Sequence, residues 1–201
     1  MKKKIIDKLT NFIINHKKCS DTDIKIYRYG LEALYNLTTK TIVIIIISIF
    51  LKTTKECLLL ILFYTFLRLF AFGLHASGSL ACWFTTIPIY IGGSLFIKYI
   101  TILKYIVLSI WIIYLIFVIL WAPADTKKRP LIREKQRKKL KIESIIICII
   151  YLLLIVLVKN TLIINAIGFC MALEAICICP LTYKITGNRF NNYLYYKKSL
   201  N

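Results

Sequence analysis

Acid is scarce in this sequence. Nine Asp and Glu stand against 28 Lys and Arg in 201 residues, for a formal net charge of +19. Charged residues of both signs make up only 18% of the chain and hydrophobic residues 59%, where a soluble domain holds nearer ~25% and ~45–50%. That apolar content excludes a disordered chain and argues against an ordinary soluble enzyme. A nucleic-acid binder would account for the charge but not for the long apolar runs. Histidine is almost missing, with His16 and His75 alone, and the seven cysteines contain no CxxC pair. An odd cysteine number, mostly inside apolar runs, excludes a disulfide scaffold. Too few histidines remain for a zinc site, and Cys177-Ile178-Cys179 reads as small apolar residues in a helix rather than half of a metal centre. No metal or other cofactor is expected.

What is present explains both the charge and the apolar excess: an all-α, polytopic integral membrane protein with basic cytoplasmic segments. The opening residues 1–20 carry lysines but no 7–15-residue apolar core, so no cleavable signal peptide is expected. Ile5, Ile6, Leu9, Phe12 and Ile13 recur at helical spacing among Lys2, Lys3, Lys4, Lys8, Lys17 and Lys18. This pattern predicts an amphipathic helix on the membrane surface. Asp21-Thr22-Asp23 marks the start of a second helix. About six spans follow: from near Leu31 to Leu51, Cys57 to Phe72, His75 to Ile97, Tyr105 to Ala124, Ser144 to Val158 and Thr161 to Tyr183. Four spans with re-entrant pieces satisfy the same parity. The whole, residues 1–201, reads as a single membrane domain.

Basic-residue counting orients it. With the N-terminus inside, residues 1–40, the turn at Arg68–His75, the loop 125–143 and the tail 184–201 hold 23 Lys and Arg. Only Lys52, Lys55, Lys98, Lys104 and Lys159 fall outside. The asymmetry predicts a bacterial cell-membrane protein with both termini cytoplasmic. The loop 125–143 alone holds nine basic residues, including Lys127, Lys128 and Arg129. They set orientation and attract anionic lipids, each at ~1 kcal/mol near the surface; docking of an acidic peptide segment is compatible with the same charges.

Polar side chains at membrane depth are costly and therefore functional suspects. They concentrate in Arg68-Leu-Phe-Ala-Phe-Gly73-Leu-His75-Ala-Ser77-Gly-Ser79-Leu-Ala-Cys82. A neutral imidazole can take a thiol proton, and the thiolate is the nucleophile. On one continuous helix the i, i+7 spacing would leave His75 and Cys82 on nearly one face but ~10 Å apart along the axis. The glycines and serines predict a break that could bring them together and free backbone N–H groups for an oxyanion. A helix with a buried histidine and an inert cysteine is the plainer alternative. A second pair, His16 and Cys19, lies in a lysine-rich setting with nothing to shape a pocket. Asp125 and Glu174 are the acids available from elsewhere in the chain, and Glu174 is expected to be buried and to pair with a base.

The Arg68, Gly73, His75 and Cys82 frame resembles the accessory gene regulator protein B (AgrB) family. Ala122-Pro123-Ala124-Asp125-Thr126-Lys127-Lys128-Arg129-Pro130 is similar to that family's Pro-containing basic loop. The amphipathic start, the length and the span count agree, so the resemblance covers most of the chain. It implies a membrane cysteine endopeptidase with Cys82 as nucleophile and His75 as general base and acid. The implied substrate is a small AgrD-like propeptide, cut through an acyl-enzyme thioester and cyclised to a thiolactone autoinducing peptide for quorum sensing. Arg68 and Gly73 match motif positions; Arg68 would hold a carboxylate of substrate or enzyme, and Gly73 would allow close backbone approach. A homodimer is implied as well. The rival reading from another class is a small membrane peptide transporter without covalent catalysis, although no repeat relates the two halves.

Overall fold

The computed structural model describes residues 2–16, 20–74, 79–127 and 129–198. Among them the fold is all α, with no β-strand. The chain divides into two units, Met1–Ile47 and Ser48–Asn201.

In the first unit, α1 (Lys2–His16) lies on the opening turns of α2 (Asp21–Phe50). Ile6 is buried, and Arg28 reaches Asp7 at 2.6 Å. Ile5, Leu9 and Phe12 stay exposed beside the lysines, as the amphipathic pattern predicts. The α2 cap begins one residue earlier than the acids suggest. The Ser20 hydroxyl accepts the Asp23 N–H at 3.3 Å, and the Asp23 carboxylate accepts the Ser20 N–H at 3.1 Å. This is a reciprocal capping box, which satisfies donors that a helix start leaves open.

The second unit is built from α3 (Thr54–Ala71), α4 (Ser79–Ile87), α5 (Gly93–Tyr99), α6 (Lys104–Trp121), α7 (Glu134–Leu157) and α8 (Thr161–Ile178). Short helices α9 (Pro180–Ile185) and α10 (Asn192–Lys198) follow. Four helices, α2, α6, α7 and α8, are each long and apolar enough to cross a membrane. Helix α3 has 18 residues but carries Lys55, Glu56 and Arg68. The start of the predicted third span, at His75, lies outside the described residues, and from Ser79 on it is not a plain α-helix. A π turn, Pro88–Gly92, joins α4 to α5, because Pro88 has no N–H to close the bond onto the turn before it. Residues 79–99 still form one helical run that rises ~31 Å, against a hydrocarbon core of ~30 Å.

Helix α8 is the centre of this unit. Of its apolar window 56% is buried, against 17% in α6 and 22% in α7. The outer helices turn Ile112, Ile113, Ile116, Ile146, Ile149 and Leu153 outward, a surface that only lipid would cover without penalty. Small residues let α8 approach its neighbours. An added Cβ on Gly168 would stand 3.1 Å from the Val107 methyls, the close-packing device of membrane helices.

The two ends of the unit differ. At one end lie the turn 51–53 and the connections 100–103 and 158–160. Lys98 Nζ donates to the Lys52 carbonyl at 2.6 Å, the Asn165 side chain holds both Ile100 and Ile102, and Lys104 Nζ donates to the Val156 carbonyl at 3.0 Å. At the other end the segment after α3, the connection after α6 and the chain after α8 come together.

Several predicted boundaries shift. Helix α6 stops at Trp121, ahead of Pro123, rather than reaching Ala124. The basic segment 125–143 is only half a loop. Helix α7 begins at Glu134, whose carboxylate takes Lys138 at 2.9 Å, an i, i+4 pair that favours helix. Lys135, Arg137, Lys138, Lys139 and Lys141 therefore stand on a helix. Helix α8 ends at Ile178 instead of Tyr183, since Pro180 starts a new one.

Candidate functional site

The site is organised by the three residues that follow α3. Phe72 and Gly73 take positive φ values, 62° and 92°, which end the helix and send the chain across the bundle. Backbone bonds tie this segment to two other elements. Gly73 N–H donates to the Ala124 carbonyl at 2.8 Å, and Ala124 N–H donates to the Ala71 carbonyl at 3.0 Å. Leu74 N–H donates to the Cys177 carbonyl, on the last turn of α8, at 2.9 Å. The Tyr183 hydroxyl adds a bond to the Ala124 carbonyl at 3.2 Å. A buried donor or acceptor left without a partner costs ~1–3 kcal/mol, so these bonds hold the segment in place.

Arg68, on the last turn of α3, lies beneath that segment. Its Nη1 is 3.3 Å from Glu174 Oε2, and its Nη2 donates to the Leu74 carbonyl. The Glu174 side chain has 0% exposure and Arg68 has 22%, so this is a largely buried ion pair. The pairing of Glu174 with a base is as expected, and of the two roles open to Arg68 the enzyme's own carboxylate takes it. Gly73 is required by the arrangement: a Cβ there would lie 2.8 Å from Arg68 Nη1 and 3.0 Å from the Cys177 carbonyl oxygen. The close approach predicted for Gly73 is thus to this arginine and to the end of α8.

Cys82 is on the first turn of α4 and is partly exposed. Its Sγ is 3.7 Å from Thr86 Oγ1, which in turn donates to the Cys82 carbonyl at 2.5 Å. With its own proton committed to the carbonyl, the Thr86 oxygen is left to accept from the thiol. His75 and Ser77 lie outside the described residues, as do Lys128 and Cys19. Ser79 is the first residue of α4. Lys127 and Arg129 are exposed on the tight turn closed by Arg129 N–H to the Thr126 carbonyl, 3.0 Å. The Arg129 guanidinium stacks 4.6 Å over the Phe72 ring, so the basic loop touches the segment leading to His75.

Asp125 has a structural assignment of its own. It is buried, and its carboxylate accepts the N–H groups of Asn192 at 2.9 Å, Tyr193 at 2.8 Å and Leu131 at 3.3 Å. It thereby anchors the N-terminus of α10, where a negative charge is favoured. Burial pushes its carboxyl above the ordinary value, against the three N–H bonds and the Arg137 charge that favour ionisation. Three N–H donors, two on Oδ2 and one on Oδ1, commit most of its acceptor capacity to the backbone of the C-terminal segment and of Leu131.

Tyr64 and Thr86 join the site without a sequence signal of their own, and Ala124 and Cys177 join it through their backbone groups. Tyr64 hydroxyl is 3.6 Å from Cys177 Sγ, beside the Arg68–Glu174 pair. Among the described residues no three His, Cys, Asp or Glu side chains cluster as a metal would need.

A helical bundle for the membrane, holding an ion pair and a thiol at one end, defines an integral membrane protein with an internal polar site. A family model described as Accessory gene regulator B matches residues 6–178. The chain is 27% identical to an AgrB-like protein of Clostridium acetobutylicum over 99% of this chain and 97% of that one. It is 32% identical to an AgrB-like protein of Listeria innocua, covering 85% and 83% of the two chains. With the accessory gene regulator protein B of Staphylococcus lugdunensis the identity is 30%, over 78% of this chain and 82% of that one. No solved structure matches. The chain belongs to the accessory gene regulator B family and so to the agr quorum-sensing system.

Proposed function

We propose that the protein is a membrane-embedded cysteine endopeptidase that removes the C-terminal tail of a small AgrD-type propeptide and promotes its cyclisation. The observation that carries this reading is the pinned segment 72–74. It delivers the chain to His75 from a fixed point, a few residues before the partly exposed Cys82.

The chemistry follows from the residue types. His75 takes the Cys82 proton, and the thiolate attacks the scissile carbonyl. The C–N bond breaks, His75 returns the proton to the leaving amine, and an acyl-enzyme thioester remains. A propeptide thiol then attacks that thioester, and Cys82 leaves as the thiol. One thioester replaces another, so the second step is close to energetically neutral, and net flux needs removal of tail or product. Water must be kept out, which favours a site within the membrane end of a bundle.

The basic end of the bundle faces the cytoplasm by the positive-inside rule. Lys127, Lys128 and Arg129 there meet anionic lipid and the acidic part of the substrate. The protein works as a homodimer in this reading, and no nucleic acid takes part.

The test is co-expression of the propeptide from the neighbouring reading frame with wild type, Cys82→Ala and His75→Ala, following tail release by mass. Both variants are expected to release no tail, and Cys19→Ala to behave as wild type. Tail release by Cys82→Ala overturns the mechanism.

A further inference from the structure

We propose that Glu174 is a positioning residue for the Cys82 and His75 reaction, acting through Arg68 on the peptide that precedes His75. The inference rests on the endopeptidase reading above.

Three observations converge on it. Glu174 is wholly buried in the central helix; its Oε2 meets Arg68 Nη1, while its Oε1 has no hydrogen-bond partner among the described residues. Stability alone does not call for such a group. A buried ion pair replaced by apolar side chains of similar volume is often neutral or stabilising. A wholly buried, half-satisfied carboxylate is thus better accounted for by a task beyond packing.

The second observation is where the guanidinium is sent. Arg68 is a rigid planar fork whose donors have fixed relative directions. With Nη1 held by Glu174, Nη2 falls on the Leu74 carbonyl. The Leu74 N–H is taken by the Cys177 carbonyl, three residues beyond Glu174 on the same helix. The Leu74 residue is thus fixed through both its N–H and its carbonyl, and the next residue is His75. Without the carboxylate, Arg68 keeps its charge but loses the contact that aims it.

The third observation is Gly73. Its missing Cβ is what lets Arg68 and the end of α8 lie against the same backbone. Conformation and clearance at Gly73 serve this arrangement together. A misplacement of a reacting group by ~1 Å, caused by a change far from the chemistry, is enough to lose ~100-fold in rate.

The experiment uses the full-length protein in liposomes with the synthetic propeptide from the neighbouring reading frame, varying propeptide concentration. Glu174→Gln is expected to lower the maximal rate of tail release at least tenfold while the half-saturating concentration stays within twofold. Glu174→Asp, which keeps the charge, is expected to recover most of the rate. Arg68→Gln is expected to match Glu174→Gln, and the double variant to be no worse than either, as for two residues on one path. A wild-type maximal rate in Glu174→Gln, or an effect confined to the half-saturating concentration, overturns the proposal. Where the single variant accumulates poorly, the Arg68→Gln/Glu174→Gln double variant has no unpaired buried charge and is read by the same criteria. His75→Ala separates the two levels of inference. Tail release by His75→Ala sinks the catalytic reading itself. Loss of release in His75→Ala beside full activity in Glu174→Gln sinks only the positioning role.

Discussion

The Cys177 carbonyl accepts the Leu74 N–H at 2.9 Å and lies 3.0 Å from the place a Gly73 Cβ would occupy. The end of α8 and the segment after α3 are therefore in contact through backbone alone. Gly73→Ala places a methyl against that carbonyl and against Arg68, at a φ of 92° that L-residues rarely adopt. Backbone strain of this kind costs ~1–3 kcal/mol. The expected outcome is a lowered thermal midpoint in detergent together with loss of tail release. A variant with wild-type stability and activity would show that the segment is looser than its hydrogen bonds indicate.

The helical class was legible because it is written locally, in apolar run length. So was the polar interruption at Arg68–Cys82, since polar groups stand out against an apolar background. The partner of Arg68 was not. Glu174 lies 106 residues away, and only the fold of α8 against α3 decides which base a buried acid meets. The use of Asp125 was hidden for the same reason, because the tail that it anchors is short and polar and reads as solvent-facing. The π turn at Pro88 and the early start of α7 at Glu134 depend on a missing backbone N–H and on an i, i+4 ion pair, which apolar periodicity does not encode.

Asp125 gives a prediction about the C-terminal helices. Three N–H donors converge on its two oxygens, whereas an asparagine amide would turn its own N–H groups toward one of those donors. Asp125→Asn and Asp125→Ala are both expected to release α10, at ~1–3 kcal/mol for the orphaned groups. Limited proteolysis should then cut between α9 and α10 faster than in wild type. The pH dependence has a definite sign. A carboxyl raised by burial binds its proton more tightly folded than unfolded, so its contribution is full below the unfolded value and is lost as pH rises through the folded one. Acidification from neutral pH is expected to leave α10 attached, and wild-type cleavage that accelerates on acidification would contradict this.

Two neighbouring glycines should respond oppositely to the same change. A Cβ on Gly93 would come within 2.7 Å of Phe169 and 3.0 Å of Leu60, at the seam of α5 with α8 and α3. Nothing lies within 4 Å of the Cβ position on Gly92. Gly93→Ala is expected to lower stability by ~1–3 kcal/mol through overpacking. Gly92→Ala is expected to be neutral or to gain up to ~1 kcal/mol from helix propensity. Thermal unfolding of the two variants in the same detergent checks the contrast, and equal midpoints would mean that α5 does not pack on Phe169 as described.

Thiol labelling tests the exposed position of Cys82 separately from catalysis. Cys57, Cys148 and Cys170 have 0%, 0% and 1% exposure; they should react with N-ethylmaleimide only after denaturation. Cys82 and Cys179 are partly exposed, and so is Cys177, whose sulfur lies against the Tyr64 hydroxyl. Mass mapping after brief labelling is expected to find Cys82 modified first, and excess propeptide is expected to slow Cys82 but not Cys179. The distinction matters because a thiol that only packs in the bundle would be indifferent to substrate. Equal protection of both cysteines would point to a general shielding of that end of the bundle by bound peptide, and no protection at all would place the substrate elsewhere.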